Sequence, residues 1–91
     1  MKEKFSVRMK PLAVEQTRRK LSRIELTIAE LSSEVAMLNR AIAAEEKRSG
    51  ISDPRHFAYP SYAIAASRRR ENLLRTIGDL KRCATLEKMA A

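Results

Sequence analysis

The sequence is poor in the residues that build catalytic sites, metal sites and disulfides. Its 91 residues include one cysteine, one histidine, two glycines and no tryptophan. A lone Cys83 excludes an internal disulfide and fits a reducing compartment. His56 lies far from Cys83 along the chain, so no spacing suggests shared metal ligands, and a glycine-rich phosphate loop is missing. We therefore predict no catalytic residue, no metal site, no cofactor and no enzyme activity.

Long apolar runs are missing as well. No stretch approaches the roughly 18–20 apolar residues that a membrane-spanning helix needs. Residues 1–10, MKEKFSVRMK, have no hydrophobic core of the kind found in a secretory signal. These observations predict a soluble, cytoplasmic protein.

Charge is abundant by contrast, since charged residues make up 33% of the chain and aromatic residues only 4%. This composition is typical of long helices and coiled coils. The net charge is +8, and most of the excess lies near the two ends of the chain. Such an excess suits an acidic partner, whether a protein face, an anionic lipid or nucleic acid, although solvated helix faces also carry surplus Lys and Arg.

The first half of the chain carries a heptad pattern. Alternate steps of three and four residues reach eight aliphatic side chains and one threonine: Val14, Thr17, Leu21, Ile24, Ile28, Leu31, Val35, Leu38 and Ile42. Glycine and proline are absent from residues 12–49. The pattern predicts one helix over about residues 12–48, which Gly50 would end.

The second half repeats this pattern less cleanly. The same steps reach a seam that is small or polar at first and aliphatic later: Ala63, Ala66, Arg70, Leu73, Ile77, Leu80 and Ala84. We expect Leu74 and Leu86 to lie beside this seam and widen it. Gly78 is expected to weaken the helix by up to about 1 kcal/mol relative to alanine. The second helix is predicted over about residues 60–89.

The linker between them, residues 49–60, holds one glycine and two of the three prolines, which disfavours a single continuous helix. Its Asp53–Pro54 pair is typical of a helix start. Two helices joined by so short a linker fold back on each other. We predict an all-α fold, two long helices forming an antiparallel coiled-coil hairpin, as a single unit over residues 1–91. Because two helices bury little apolar surface, self-association or a larger partner is expected to complete it.

Three aromatic side chains in or beside the linker are candidate partner contacts: Phe57, Tyr59 and Tyr62. Two interpretations remain open from the sequence. The rings could plug the open end of the hairpin, because aromatic side chains seal such corners well. They could instead form an exposed contact cluster, because tyrosine is enriched at interfaces.

A basic run supplies the other candidate contacts: Arg68, Arg69 and Arg70. In an antiparallel hairpin we expect this run to lie beside Glu45 and Glu46, so pairing within the hairpin and solvation are the favoured interpretations. An acidic protein partner comes next. Nucleic acid is the least favoured partner, because the aromatic side chains that would stack on bases are not interleaved with the arginines.

The stretch GISDPRHFAYPSYAIAASRRRENLLRT, residues 50–76, resembles the middle of the FliJ family of flagellar type III export proteins, in its α-proteobacterial form. The matching positions are Glu45, Glu46, Gly50, Ile51, Ser52, Asp53, Pro54, His56, Phe57, Ala58, Tyr59, Pro60, Tyr62, Ala63, Ala65, Ala66, Arg69, Arg70, Asn72 and Leu73. The first helix adds a weaker likeness through its length and its basic opening.

This resemblance implies a non-enzymatic hairpin similar to the central stalk subunit of rotary ATPases. It implies association with the hexameric flagellar export ATPase, with the cytoplasmic domain of the export gate and with export chaperones. The expected location is cytoplasmic, at the periphery of the inner-membrane export apparatus, and the expected process is flagellum assembly, hence motility and chemotaxis.

The chain departs from the family at its C-terminal end, because family members usually continue past the position of Ala91. We therefore expect a short second helix, with residues 1–20 lacking a partner helix or associating with another copy. The alternative function is a basic helical hairpin that binds nucleic acid or serves as a dimerisation module.

Overall fold

A computed structural model describes the backbone of residues 2–90 and the side chains of residues 12–90. Two helices, α1 (Lys2–Ser49) and α2 (Ser61–Ala90), account for all regular structure in the described backbone, which contains no strand. The protein measures 73 × 17 × 12 Å, and the longest dimension matches a continuous α1 at about 1.5 Å per residue.

The two helices run antiparallel along their shared length. Near the corner the Tyr59 hydroxyl donates a hydrogen bond to Glu46, and at the far end Lys20 lies 4.0 Å from Glu87. Contacts between α1 and α2 make up the tertiary structure of the described residues. The predicted all-α helical hairpin is confirmed.

The heptad seams form the interface between the helices. On α2 every predicted seam position is buried or half-buried, and on α1 every one except Val14, which is 54% exposed. The aliphatic seam of α1 from Leu21 to Leu38 is only half-buried. A single partner helix leaves the flanks of such a seam open to water, so the core of this hairpin is thin.

The tightest packing lies at the corner. Ile42, Tyr59, Ala63 and Ala66 form the buried cluster there, and Leu38 and Ile51 pack against it. Ala63 has no exposed surface. The small side chains of Ala63 and Ala66 thus fill the start of the α2 seam, in one cluster with Ile42 and Tyr59.

Two leucines expected to widen the α2 seam do not do so. Leu74 is 50% exposed and Leu86 is 65% exposed. Each residue turns a helix by about 100°. Leu74 therefore lies one such step away from the buried Leu73, and Leu86 lies two steps from Ala84, on the outside of the helix.

The start of α1 also differs from the sequence prediction, since the helix begins at Lys2 rather than near residue 12. Pro11 lacks an amide hydrogen, which removes one helical hydrogen bond at a cost of about 3 kcal/mol or more. Residues 2–10 contain no glycine and include three lysines, which are good helix formers. One missing bond is therefore compatible with a helix that continues through the proline.

Candidate functional site

The linker begins where Gly50 ends α1 in a left-handed conformation, with φ of 75°. Its amide donates to the carbonyl oxygen of Glu46 at 2.9 Å, which satisfies one of the carbonyls left free at the end of the helix. The Ser49 hydroxyl oxygen then accepts from the amide of Ile51 at 3.1 Å. Together these bonds turn the chain back towards α1 and place Ile51 against the corner cluster.

A first turn follows over residues 53–56. The His56 amide donates to the Asp53 carbonyl oxygen at 3.0 Å, and Asp53 Oδ1 accepts from the Arg55 amide at 3.0 Å. The bond from the Arg55 amide, reinforced by the Arg55 side chain, lowers the pKa of the Asp53 carboxyl. The second helix begins close to its predicted start near residue 60, and the Asp53–Pro54 pair, although typical of a helix start, is not part of it. The pair forms a separate turn instead, and α2 begins at Ser61, after Pro60.

A second turn shares His56 with the first. The Tyr59 amide donates to the His56 carbonyl oxygen at 3.0 Å, while the Ala58 amide donates to His56 Nδ1 at 3.0 Å. The imidazole also stacks on the Phe57 ring, with 4.8 Å between the ring centroids and 21° between the planes. Local hydrogen bonds therefore hold this short linker in one shape without a helix or strand.

Tyr59 ties the linker to α1. Its ring is only 5% exposed, and its hydroxyl donates to Glu46 Oε2 at 2.8 Å. The hydrogen bond to Glu46, followed by burial, raises the pKa of the Tyr59 hydroxyl. A phenol that bonds a carboxylate resists ionisation, because deprotonation would remove the donor and place two negative charges side by side.

The three aromatic candidates thus divide into two roles that the sequence could not separate. Tyr59 plugs the corner, as one interpretation held. Phe57 is 97% exposed at the tip of the hairpin, and Tyr62 is 58% exposed on the first turn of α2. Of these three side chains, Phe57 and Tyr62 are therefore the ones exposed to a partner.

The arginine run divides in the same way. Arg69 donates to Glu34 Oε1 on α1 through Nε at 3.0 Å and Nη2 at 2.8 Å. Arg70 donates through Nη1 to Asn39 Oδ1 at 2.9 Å. Arg68 is exposed and forms no ion pair among the described residues. Two of the three guanidinium groups thus bridge the helices, and one remains open.

The prediction that this arginine run lies beside Glu45 and Glu46 is wrong. Glu45 pairs with Arg48 at 2.6 Å on its own helix, and Glu46 accepts from Tyr59. The reason is the register of the hairpin. Since residue 59 faces residue 46, ten further residues along α2 reach a point about ten residues back along α1. The arginines therefore meet residues 34–39, two to three turns away from the corner.

Other features of the described residues add no reactive constellation. Residues 12–90 hold no group of three histidine, cysteine or acidic side chains arranged to bind a metal ion, and Cys83 is an exposed free thiol. Over the residues described, neither helix combines the length and the apolar character that crossing a membrane requires.

Comparison of the chain with protein-family models, curated proteins and solved structures gives no match. The site is therefore defined by its own geometry. It consists of the hydrogen-bonded segment of residues 50–62, which exposes Phe57 and Tyr62, and of the exposed Arg68 further along α2. The likeness of residues 50–76 to the FliJ family stays a prediction.

Proposed function

We propose that this chain is a non-enzymatic, stalk- or adaptor-like component of the flagellar protein export apparatus. It binds the export ATPase and the cytoplasmic domain of the export gate, and it aids the delivery of substrates carried by export chaperones. Its place is the cytoplasm, at the periphery of the inner-membrane apparatus. The pathway in this proposal comes from the resemblance of residues 50–76 to the FliJ family.

The observation that carries the proposal is the exposed ring of Phe57 on a corner that is already ordered. A phenylalanine buries about 150 Å² or more when it enters a pocket. Aromatic side chains are enriched at protein interfaces, and truncation of one that acts as a hot spot costs about 2 kcal/mol or more. A partner pocket for the Phe57 ring would explain why the ring is held outward.

The hydrogen bonds of the linker support the same conclusion. Binding a flexible loop costs free energy because the loop loses conformational freedom. Here the two turns that share His56 fix the backbone on both sides of Phe57 before any partner arrives. The hairpin behind the corner forms a narrow rod, which suits a part that transmits force or position between an ATPase and a gate.

A binding assay with purified proteins tests the proposal. The chain is immobilised and offered the export ATPase, the cytoplasmic domain of the export gate, and an unrelated hexameric ATPase from the same organism. We expect the first two to bind and the third to pass through. Failure of both export proteins to bind the wild-type chain would refute the proposal.

Two variants locate the contact. Phe57→Ala should weaken binding by about 30-fold, which corresponds to about 2 kcal/mol. Leu26→Ala removes another large exposed side chain, 61% exposed on α1 and far from the corner. It should leave the affinity unchanged. Equal losses in both variants would contradict a contact centred on the corner.

A further inference from the structure

The outer side of α2 carries a second heptad pattern that does not face α1. We call this surface the outer face and define it by Ile64, Arg68, Leu74, Arg75, Gly78 and Arg82. All but Gly78 are exposed, and Gly78 is half-buried. Spacings of three, four and seven residues place five of these positions along one stripe of the helix, and Leu74, four residues before Gly78, lies at its edge. The helix therefore has one seam for α1 and another that nothing in the hairpin covers.

Three arginines form a regular row on the outer face. Arg68, Arg75 and Arg82 are seven residues apart, so successive guanidinium groups are separated by about 10.5 Å along the axis. Arg82 pairs with Asp79 on its own helix, whereas Arg68 and Arg75 form no ion pair among the described residues. This row contrasts with Arg69, which is committed to α1.

The outer face is partly apolar at its first position, Ile64, and near its middle, at Leu74. Leu74 is 50% exposed and Ile64 is 36% exposed. A Cβ added to Gly78 would meet only Arg82 Nη1, at 3.8 Å, so the backbone there is open to approach from outside. Towards the C-terminal end of α2, a surface depression of about 340 Å³ is lined by Lys81, Arg82, Thr85 and Leu86.

We infer that the outer face of α2 docks an acidic amphipathic helix of a partner protein. A helix repeats every seven residues at the same 10.5 Å or so, so glutamates one heptad apart would meet the arginine row in register. Leu74 and Ile64 would take the apolar seam of the incoming helix. Gly78 would let its backbone come close.

Charge decides between this occupant and two others. A second copy of the chain would bring its own basic outer face, and residues 61–90 carry seven basic and three acidic side chains. Duplex nucleic acid presents a charge about every 1.7 Å and favours a broad basic patch. Here Arg69 and Arg70 bond to α1, and Glu71 lies within the row, three residues after Arg68 and four before Arg75. The outer face is therefore a narrow row interrupted by one carboxylate rather than a broad basic patch.

The inference goes beyond the proposed function, because it concerns a surface distinct from the corner that holds Phe57. A test uses the full chain and two synthetic peptides of about four heptads, each with leucine at its seam positions. One peptide carries glutamate at the flanking positions and the other carries lysine. Binding is followed by fluorescence anisotropy of the labelled peptide. We expect the glutamate peptide to bind and the lysine peptide not to bind.

Matched charge reversals then locate the site. Arg68→Glu with Arg75→Glu should weaken binding of the glutamate peptide by about tenfold or more and should create binding of the lysine peptide, because like charges replace opposite ones. Arg23→Glu with Arg40→Glu makes the same charge change at exposed positions of α1 and should have little effect. Circular dichroism of both variants checks that the hairpin remains folded.

The outcomes that overturn the inference are distinct. If the wild-type chain does not bind the glutamate peptide, the outer face is not a binding site for an acidic helix. If the α1 reversals weaken binding as much as the α2 reversals, the attraction is general rather than seated on the outer face. If duplex DNA competes for the same arginines with higher affinity, the surface serves nucleic acid. Phe57→Ala should leave peptide binding intact, which separates this test from that of the proposed function.

Discussion

Enlarging Ala63 tests how closely the helices approach at the corner. Ala63 has no exposed surface and lies in the cluster with Ile42, Tyr59 and Ala66. Replacement by leucine adds three carbon atoms at a position that has no exposed surface. Because Ala63 is already fully covered, the added atoms are expected to move α2 away from α1 or to push neighbouring side chains out of their preferred rotamers.

The expected cost of Ala63→Leu is about 1–3 kcal/mol, the usual range for overpacking a filled core. For a chain of this size each kcal/mol lowers the melting temperature by about 4–8 °C. Ala65→Leu is the matched control, because Ala65 is exposed on the same turn of α2. Leucine is nearly as good a helix former as alanine, so the control should change stability by less than about 0.5 kcal/mol.

Thermal unfolding followed by circular dichroism at 222 nm measures both variants. The scans are repeated over a range of protein concentrations, so that any self-association is seen as a shift of the transition. The reasoning would be refuted if Ala63→Leu were as stable as Ala65→Leu at every concentration. That result would mean that the corner has room for a larger side chain.

Further expectations concern the two glycines and the buried phenol. Gly78→Ala should stabilise the protein by about 1 kcal/mol, because it improves helix propensity and the added methyl group meets only Arg82 Nη1 at 3.8 Å. Gly50→Ala should destabilise the protein by about 1–2 kcal/mol, because the φ of 75° is unfavourable for a residue with a Cβ. Urea unfolding measures the stability of both glycine variants. Since the pKa of Tyr59 is raised in the folded state, its contribution to stability is complete below the unfolded pKa of about 10 and is lost as the pH rises through the folded pKa. Unfolding between about pH 9 and 12 should show this loss in the wild type and not in Tyr59→Phe; identical pH profiles would contradict the bond to Glu46.

The seam positions could be predicted from the sequence, because helical periodicity depends only on local residue spacing. Ala63, Leu73 and Ile77 lie where steps of three and four residues predict them, and all three are buried. The step rule also explains the error at Leu74. A side chain one residue away from a seam position turns by about 100°, and with only one partner helix nothing covers it.

Register was harder to predict, because it depends on how much chain the linker consumes. The arginine run was expected near Glu45, yet Arg69 meets Glu34. The two turns around His56 are compact and bring Tyr59 back onto α1 beside Glu46. A linker with one residue more or less would shift every pair along the hairpin, and no sequence pattern states that count.

The roles of the aromatic side chains were also beyond the sequence. Phe57 and Tyr59 are two residues apart in the same turn, and one is 97% exposed while the other is 5% exposed. The Tyr59 ring packs in the cluster with Ile42 and its hydroxyl bonds Glu46 on α1, whereas the Phe57 ring stacks on the neighbouring His56. Contacts of this kind become visible only in three dimensions.

Photo-crosslinking in living cells shows directly whether the Phe57 position contacts the export proteins. A benzoylphenylalanine is placed at position 57 in the full chain, and a second strain carries it at the exposed position 65 as control. Our account predicts adducts from position 57 with the flagellar export ATPase or with the cytoplasmic domain of the export gate, and few from position 65. Adducts from position 57 with neither protein would contradict the account.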